Sequence, residues 1–225
     1  MNYMGLLSIS TALALLTGAC TESTSQQHNY MDAAAVIPDG VKTDTATFAT
    51  GCFWCTEAIF QELKGVLKAT SGYSGGQAVN PSYEEVCTGT TGHAECLQVV
   101  YDPKVISYDE LLEVFWEAHD PTSLNRQGND VGTQYRSAIF YHDAAQKQKA
   151  EHYKAQLDKS GAYNKPIVTE ITAFTKFYPA ENYHQDYYNL HGSQPYCSFV
   201  IRPKVEKFEK VFKDKLKVTQ DQTKK

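Results

Sequence analysis

Hydrophobic and polar residues follow two periods along this chain, and the changes between them predict alternating strands and helices. Strand-like apolar or alternating runs occupy residues 46–50, 66–73, 97–101, 135–141 and 167–171. Glycine, proline or polar clusters stand near the ends of these runs, as is typical of short β-strands. The pattern therefore predicts short strands spread over most of the chain.

Helix signals lie between these strands, in residues 56–63, 107–119, 143–161 and 205–212. The second segment begins with a capping box, in which the Ser107 hydroxyl and the Glu110 carboxylate satisfy the first free N–H groups. The third begins at an aspartate and stops at a glycine, and the last carries an apolar stripe on a lysine-rich helix. Strands and helices interleave, but the middle of the chain is long, glycine-rich and rich in loops. An α+β fold is therefore favoured over a regular parallel α/β fold.

Composition limits the number of domains and the classes of partner. The 225 residues are 42% hydrophobic, which is enough for one well-buried core. A formal net charge of −5 without a dominant basic patch argues against a nucleic-acid partner. The six cysteines, at positions 20, 52, 55, 87, 96 and 197, are spread too thinly for a disulfide scaffold.

The amino terminus has the pattern of a targeting segment. An apolar run from Leu6 to Ala19 is too short to span a bilayer but fits the hydrophobic part of a secretory signal. It stops at Cys20, and the preceding residues resemble a bacterial lipoprotein cleavage site with Cys20 as the lipidated residue. Thr17 and the lack of a basic residue at the start depart from that pattern, so ordinary cleavage after Ala19 stays the alternative.

These features predict four segments. They are a signal peptide at residues 1–19, a polar linker at 20–44, a folded domain at 45–216, which would carry any catalytic site, and a polar tail at 217–225. We expect an exported protein of the periplasm or cell envelope, with a possible lipid anchor at Cys20.

The chemistry centres on the run Gly51-Cys52-Phe53-Trp54-Cys55. A predicted strand, a glycine turn and a predicted helix place Cys52 in the first helical turn. The positive end of the helix dipole and free N–H groups can lower a cysteine pKa from about 8.5 to roughly 3.5–7.5. We therefore expect Cys52 to be a reactive thiol.

Cys55 lies three residues further on. Helical positions three apart have Cβ atoms about 5–6 Å from each other, whereas a disulfide needs about 3.5–4.5 Å, so modest unwinding would let the two thiols bridge. A structural disulfide or half of a zinc site are the alternatives. Because no second CxxC follows, redox chemistry is favoured over zinc. From these residues alone, the protein could be a thiol–disulfide oxidoreductase or a metal-binding or surface-anchored binding protein.

The cysteine run resembles the signature of the A-type peptide methionine sulfoxide reductases, whose usual form is Gly-Cys-Phe-Trp-Gly. Further stretches that resemble the family lie at residues 71–73, 80–83, 91–95, 130–137 and 181–185. The resemblance covers roughly residues 45–212. It implies a single two-layer α+β domain around a mixed sheet. It also implies reduction of methionine S-sulfoxide, free or in proteins, with electrons from a thioredoxin-type donor and no non-protein cofactor. We expect a monomer.

The resemblance also implies roles for individual residues. Cys52 is the nucleophile that attacks the sulfoxide sulfur, and Glu95 is the acid, kept protonated by burial. The remaining matches are Tyr83 and Tyr135 as hydroxyl donors to the oxygen, Asp130 as a polar group of the pocket, and Phe53 and Trp54 as the apolar walls around the methyl group.

Two thiols are candidates to resolve the sulfenic acid that turnover leaves on Cys52. Cys197 matches the family's resolving cysteine on a flexible carboxy-terminal segment, whereas Cys55 replaces the usual glycine one helical turn away. The order in which they act stays open. We expect Cys87 and Cys96 to be buried structural thiols. His184 is either a support for the pocket or an ordinary core or surface histidine.

Overall fold

The computed structural model describes residue 37 and residues 40–217. In that part of the chain the strands are β1 Asp44–Thr50, β2 Val66–Ser74, β3 Ala94–Tyr101, β4 Arg126–Gln127, β5 Asp130–Val131, β6 Ser137–Tyr141, β7 Glu170–Ala173 and β8 Phe177–Pro179. The α-helices are α1 Phe53–Phe60, α2 Tyr83–Cys87, α3 Tyr108–Ala118, α4 Ala144–Ser160, α5 Tyr187–His191 and α6 Arg202–Val211. Short 3₁₀ turns lie at Thr133–Tyr135, Asn182–His184 and Lys213–Lys215, and a π-helical turn at Cys197–Ile201 leads into α6.

A six-stranded mixed sheet organises the described residues. Its strand order is β7-β6-β1-β3-β2-β8, and β4 pairs with β5 separately. β6 and β7 are parallel, while the other neighbours in the sheet are antiparallel. Helices pack on this sheet, so the predicted α+β class with a mixed sheet is confirmed.

The main core lies between the central strands and the helices. The Phe48 ring of β1 packs against the rings of Phe60, Tyr108 and Phe115, with centroids 5.3 to 6.0 Å apart. All four side chains are at most 6% exposed. Burial of rings of this size is a large hydrophobic contribution, so it fixes α1 and α3 against β1.

The predicted helix caps are present. The Ser107 hydroxyl accepts the Glu110 N–H, and the Glu110 carboxylate accepts the Ser107 N–H, which confirms the capping box at α3. Asp143 caps α4 by accepting the Gln146 N–H, and α4 ends at Gly161 in the left-handed conformation, with φ at 70°. These local contacts explain why the helix boundaries could be read from the sequence.

Two strands begin later than the sequence predicts. The strand predicted over residues 167–171 begins only at Glu170, because the Ile167 and Val168 N–H groups bond to Asp158 and Pro121 instead of to β6. The strand predicted over residues 135–141 begins at Ser137. Tyr135 itself belongs to a 3₁₀ turn.

The predicted signal peptide at residues 1–19, Cys20 and most of the predicted linker and tail lie outside the described residues. β1 begins at Asp44, one residue before the predicted start of the folded domain. Within the described part of the chain, no helix has the length and apolarity that a membrane crossing requires.

Candidate active site

Cys52 stands at the junction of β1 and α1. Gly51 forms the turn between them with φ at 93°, and a Cβ there would lie 2.5 Å from the Gln127 side chain. Only glycine fits this turn without strain. Cys52 is the N-cap residue of α1, and its carbonyl accepts the Cys55 and Thr56 N–H groups. The predicted strand–turn–helix setting of the thiol is therefore present.

The Cys52 thiol borders a small pocket of about 140 Å³. Its walls are Cys52, Phe53, Trp54, Tyr83, Glu95, Asp130, Tyr135 and Tyr196. The fold thus brings together the predicted nucleophile, the predicted acid and the five predicted substrate-binding residues, although four chain segments supply them. Tyr196 is an additional wall residue, and Cys55 and Cys197 do not line the pocket.

Glu95 on β3 is a buried carboxyl group without a basic partner in the described contacts. It is 1% exposed, and its Oε2 atom accepts the Phe53 N–H at 3.1 Å. Burial, followed by the nearby Cys52 charge, raises the pKa of Glu95 well above its usual range, and the Phe53 hydrogen bond opposes this only in part. Both effects favour the protonated carboxyl, which can act as an acid.

Two tyrosines from different segments of the chain line the same pocket. Tyr83 begins α2, and its N–H bonds to Glu181 Oε1 at 2.9 Å. Tyr135 ends a 3₁₀ turn. Burial raises the pKa of both phenols, and the Glu95 charge adds to this in each case. Both hydroxyls therefore stay protonated and can donate hydrogen bonds into the pocket.

An aromatic cluster fixes the apolar walls. The Trp54 ring stacks on the Tyr187 ring with centroids 3.8 Å apart and planes within 8°. Phe53 is 1% exposed and packs against Tyr73 and His184, with centroids 5.9 and 5.1 Å away. These contacts leave little freedom to either wall, so the space beside the Cys52 thiol keeps its shape.

His184 supports this cluster as a buried ring. It is 2% exposed, and its centroid lies 4.4 Å from that of Tyr83. Neither ring nitrogen has a hydrogen-bond partner among the described residues, and Nε2 lies 3.9 Å from a Glu181 oxygen. Burial lowers the pKa of His184, so the ring is neutral and packs behind the pocket walls.

The charge of the cysteine pair differs from the expectation. The prediction that the helix terminus lowers the pKa of Cys52 is wrong for the reduced pair. The hydrogen bond to Cys55 and burial raise the pKa of Cys52 well above its usual range. The pKa of Cys55 is lowered, first by the hydrogen bond from Cys52 and further by Lys204, whose Nζ lies 3.5 Å from the Cys55 sulfur. The contacts of the reduced pair thus favour ionisation of Cys55 over ionisation of Cys52.

Asp130 and Tyr196 form a polar edge of the pocket. The Tyr196 hydroxyl donates to Asp130 Oδ2 at 2.8 Å and also reaches the Cys52 thiol. The sequence placed Tyr196 only beside the candidate resolving thiol Cys197 and gave no sign that its side chain enters the pocket. Its contact with Asp130 spans 66 residues of chain, so only the tertiary structure reveals it.

The remaining cysteines have three different surroundings. Cys197 is fully buried in the π-helical turn, and its predicted place on a flexible segment stays a prediction. Cys87 ends the five-residue helix α2 and is exposed, so its predicted burial is wrong. Cys96 is fully buried, as predicted, in a small cluster that includes Ala49 and Phe140.

A larger groove of about 810 Å³ lies beside the pocket. The two share Asp130 and Tyr196, and Lys204 lines the groove. Phe199 on its wall is 81% exposed. Lys204 thus connects the groove with the Cys55 side of the cysteine pair. Among the described residues, no three His, Cys, Asp or Glu side chains are grouped so that they could hold a metal ion.

Comparison with known proteins agrees with this site. The family model described as peptide methionine sulfoxide reductase matches residues 44–216. The chain is 54% identical over 175 residues to the peptide methionine sulfoxide reductase MsrA of Saccharolobus solfataricus, which covers 78% of this chain and 98% of the relative.

Solved structures give the same result. Methionine sulfoxide reductase A of Corynebacterium diphtheriae is 42% identical with a TM-score of 0.60, covering 66% of this chain and 75% of that one. Mxr1 from Saccharomyces cerevisiae in reduced form is 37% identical with a TM-score of 0.65. This match covers 71% of the present chain and 91% of Mxr1. Fold and site thus define a thiol-dependent oxidoreductase. The chain belongs to the A-type peptide methionine sulfoxide reductase family and is a peptide-methionine (S)-S-oxide reductase.

Proposed function

We propose that the enzyme reduces methionine S-sulfoxide, in proteins and as the free amino acid, through attack of Cys52 on the sulfoxide sulfur. The observation that carries this proposal is the 140 Å³ pocket in which the Cys52 thiol and the Glu95 carboxyl meet. A sulfur nucleophile and a protonated acid are the two groups that removal of the sulfoxide oxygen requires.

The pocket walls supply the orientation. Phe53 and Trp54 offer an apolar surface for the methyl group of the sulfoxide. Tyr83 and Tyr135, both protonated, donate hydrogen bonds to its oxygen, and Asp130 forms the polar edge. Sulfur is a stereocentre in this substrate, so a pocket with an apolar side and a hydroxyl side distinguishes the two epimers.

The first step forms a bond between sulfur atoms and moves the oxygen. The Cys52 proton passes along its hydrogen bond to Cys55, and the Cys52 thiolate attacks the sulfoxide sulfur. Glu95 donates its proton to the oxygen as that atom becomes basic. Methionine leaves, and Cys52 keeps the oxygen as sulfenic acid.

We infer that Cys55 resolves this sulfenic acid before Cys197 acts. The Cys55 thiol is in hydrogen-bond contact with Cys52, whereas Cys197 is fully buried in a π-helical turn. Attack by Cys55 forms a Cys52–Cys55 disulfide and releases the oxygen as water. A later transfer of the disulfide to Cys197 would require that turn to rearrange.

A thioredoxin-type donor then returns the disulfide to two thiols. The proposal is supported by the large groove, which reaches Lys204 on the Cys55 side of the pair. A dithiol protein supplies both electrons and is released as its own disulfide.

The proposed setting is the cell envelope, where the enzyme repairs oxidised proteins. Support comes from the apolar run at residues 6–19 and from Cys20, which the structure does not describe. Expression of the full chain and of Cys20→Ala in a bacterium, followed by fractionation, tests this. Export of both, with only the parent in the membrane fraction, supports lipidation, and cytoplasmic recovery of both contradicts export.

The reaction is tested with each sulfoxide epimer, dithiothreitol and the purified protein, by measuring methionine. We expect turnover of the S epimer alone and none with Cys52→Ser. Substantial turnover by Cys52→Ser would remove Cys52 as the nucleophile. Reduction of insulin disulfides without sulfoxide turnover would favour the competing thiol–disulfide oxidoreductase.

A further inference from the structure

Lys204 brings an ammonium group to the cysteine pair from a distant part of the chain. It is the third residue of α6, and its Nζ lies 3.5 Å from the Cys55 sulfur. Val205 and Phe208 are at most 6% exposed and anchor α6 to the core. The position of Lys204 therefore follows from the packing of the helix that carries it.

Lys207 lies on the same helix as Lys204 but contacts a carboxylate instead of a thiol. Lys207 lies three residues further on, lines the same groove and is exposed, and its Nζ bonds to Glu117 Oε1 at 2.7 Å. No contact joins Lys207 to either thiol among the described interactions. Lys207 is thus a matched control for Lys204, because it lies on the same helix and lines the same groove but has no described contact with Cys55.

An ammonium group at this distance stabilises a thiolate. The hydrogen bond from Cys52 is the largest cause that lowers the pKa of Cys55, and Lys204 lowers this pKa further by its charge and its hydrogen bond, against the opposing effect of burial. Cys55 is 4% exposed, and a buried thiolate without a cation would be costly. The position usually held by glycine in this family therefore carries a thiol together with a compensating positive charge.

We propose that Lys204 is a positioning residue for the recycling step, holding negative charge on Cys55 so that Cys55 attacks the oxidised sulfur of Cys52. This inference rests on the proposed role of Cys55 as the first resolving thiol. In the step, Cys55 loses its proton and its sulfur bonds to Cys52 as the Cys52 S–O bond breaks. The leaving hydroxide takes up one proton and departs as water, so atoms and charge balance.

The ionisation of Cys55 is the first readout. In a Cys52→Ser background, the rate of alkylation by iodoacetamide is followed against pH, with each cysteine quantified by peptide mass spectrometry. Lys204→Met should move the Cys55 profile to higher pH by about one unit or more. Lys204→Arg should keep most of the parent profile, and Lys207→Met all of it. The exposed Cys87 is an internal reference whose profile should not move.

The recycling rate is the second readout. One equivalent of sulfoxide is mixed with enzyme that retains Cys52, and both methionine and the loss of Cys55 thiol are followed after rapid quenching. Lys204→Met should still yield one methionine per enzyme but should form the disulfide about tenfold more slowly at neutral pH. The deficit should shrink as pH rises, since hydroxide then ionises Cys55 without the lysine.

The outcomes separate this inference from the proposed function. If Cys55→Ser sustains full turnover with a thioredoxin-type donor, Cys55 does not resolve the sulfenic acid, so its resolving role and the role of Lys204 both fall while sulfoxide reduction by Cys52 stands. If Cys55→Ser stops turnover but Lys204→Met shifts neither the alkylation profile nor the disulfide rate, only the role of Lys204 is overturned. If Lys204 had a purely structural role, Lys204→Met would lower the thermal stability without moving the pH profile of Cys55 alkylation.

Discussion

Glu95 has the surroundings that an acid catalyst needs near neutral pH. It is 1% exposed, and burial raises its pKa well above the usual range. General acid catalysis contributes typically about 10²–10⁴-fold, so Glu95→Gln should lose a factor in that range while the fold persists. Methionine release in a single turnover measures the loss, and circular dichroism checks the fold.

The pH profile gives an independent check on the same residue. The acid must carry its proton, so activity should be present below the raised pKa of Glu95 and fall as pH rises through it. Glu95→Gln should lack this alkaline decline. If Glu95→Gln showed the same alkaline decline as the parent, the decline would belong to another group.

The two tyrosine hydroxyls share one proposed task. Tyr83→Phe and Tyr135→Phe should each reduce the single-turnover rate by about tenfold, the effect of roughly 1.4 kcal/mol. If either hydroxyl compensates for the other, the double variant should lose more than the product of the two single losses. Rates equal to the parent in both single variants would contradict their role at the sulfoxide oxygen.

Individual residues show what sequence can reveal. The strand–turn–helix pattern predicts Cys52, and the family resemblance predicts Glu95 and Asp130. The fold brings all three to one pocket. Lys204 and Tyr196 were missed, because each acts through a contact with a residue far along the chain, 149 residues away for Lys204 and Cys55. No local pattern encodes such a contact.

At the level of elements, two capping boxes allow a matched comparison. Ser107 caps α3, none of whose residues lines the pocket, and Ser82 caps the short helix that begins with Tyr83. Ser107→Ala should cost about 1 kcal/mol of stability and leave the rate of the folded enzyme unchanged. Ser82→Ala should affect the rate, because it loosens the helix that places Tyr83.

Denaturant unfolding and the turnover assay measure both effects. Equal kinetic effects of Ser82→Ala and Ser107→Ala would show that the α2 cap has no special part in placing Tyr83. The caps of α3 and α4 were predictable because their hydrogen bonds are local. The bounds of β7 were not, since the Val168 N–H bonds to the carbonyl of Pro121, a distant part of the chain.

The stability of the whole molecule should depend on a second buried carboxyl group. Glu57 on α1 is 3% exposed, and its Oε2 accepts the Asp186 N–H at 2.9 Å, which ties α1 to the start of α5. Burial raises the pKa of Glu57 to about 7. Its contribution to stability is thus present at acidic pH and is lost as pH rises through about 7, because the folded state then holds a buried charge.

Glu57→Gln should remove this dependence. The free energy of unfolding of the variant, measured by denaturant between about pH 5 and pH 8, should exceed that of the parent by about 2 kcal/mol at the upper end. The control is Glu206→Gln, which changes an exposed glutamate on α6. A parent curve as flat as that of the Glu57 variant would contradict the ionisation of Glu57 in this range.

The fold as a whole was predictable in class but not in arrangement. Periodicity gave the α+β class, and β1, β2 and the first helix follow the predicted order around Gly51. The strand order and the burial of Cys197 depend on tertiary packing, so the sequence offered no signal for them. The exposure of Cys87 likewise follows from how a five-residue helix ends at the surface.

Disulfide mapping after one turnover tests the central claim most directly. The full chain is mixed with one equivalent of methionine S-sulfoxide, quenched rapidly, alkylated and digested. The peptides that contain a disulfide, within one peptide or between two, are then identified by mass spectrometry. The account predicts a Cys52–Cys55 disulfide as the first product, formed together with one methionine per enzyme. A first disulfide between Cys52 and Cys197, or methionine formed while Cys52 remains a free thiol, would contradict it.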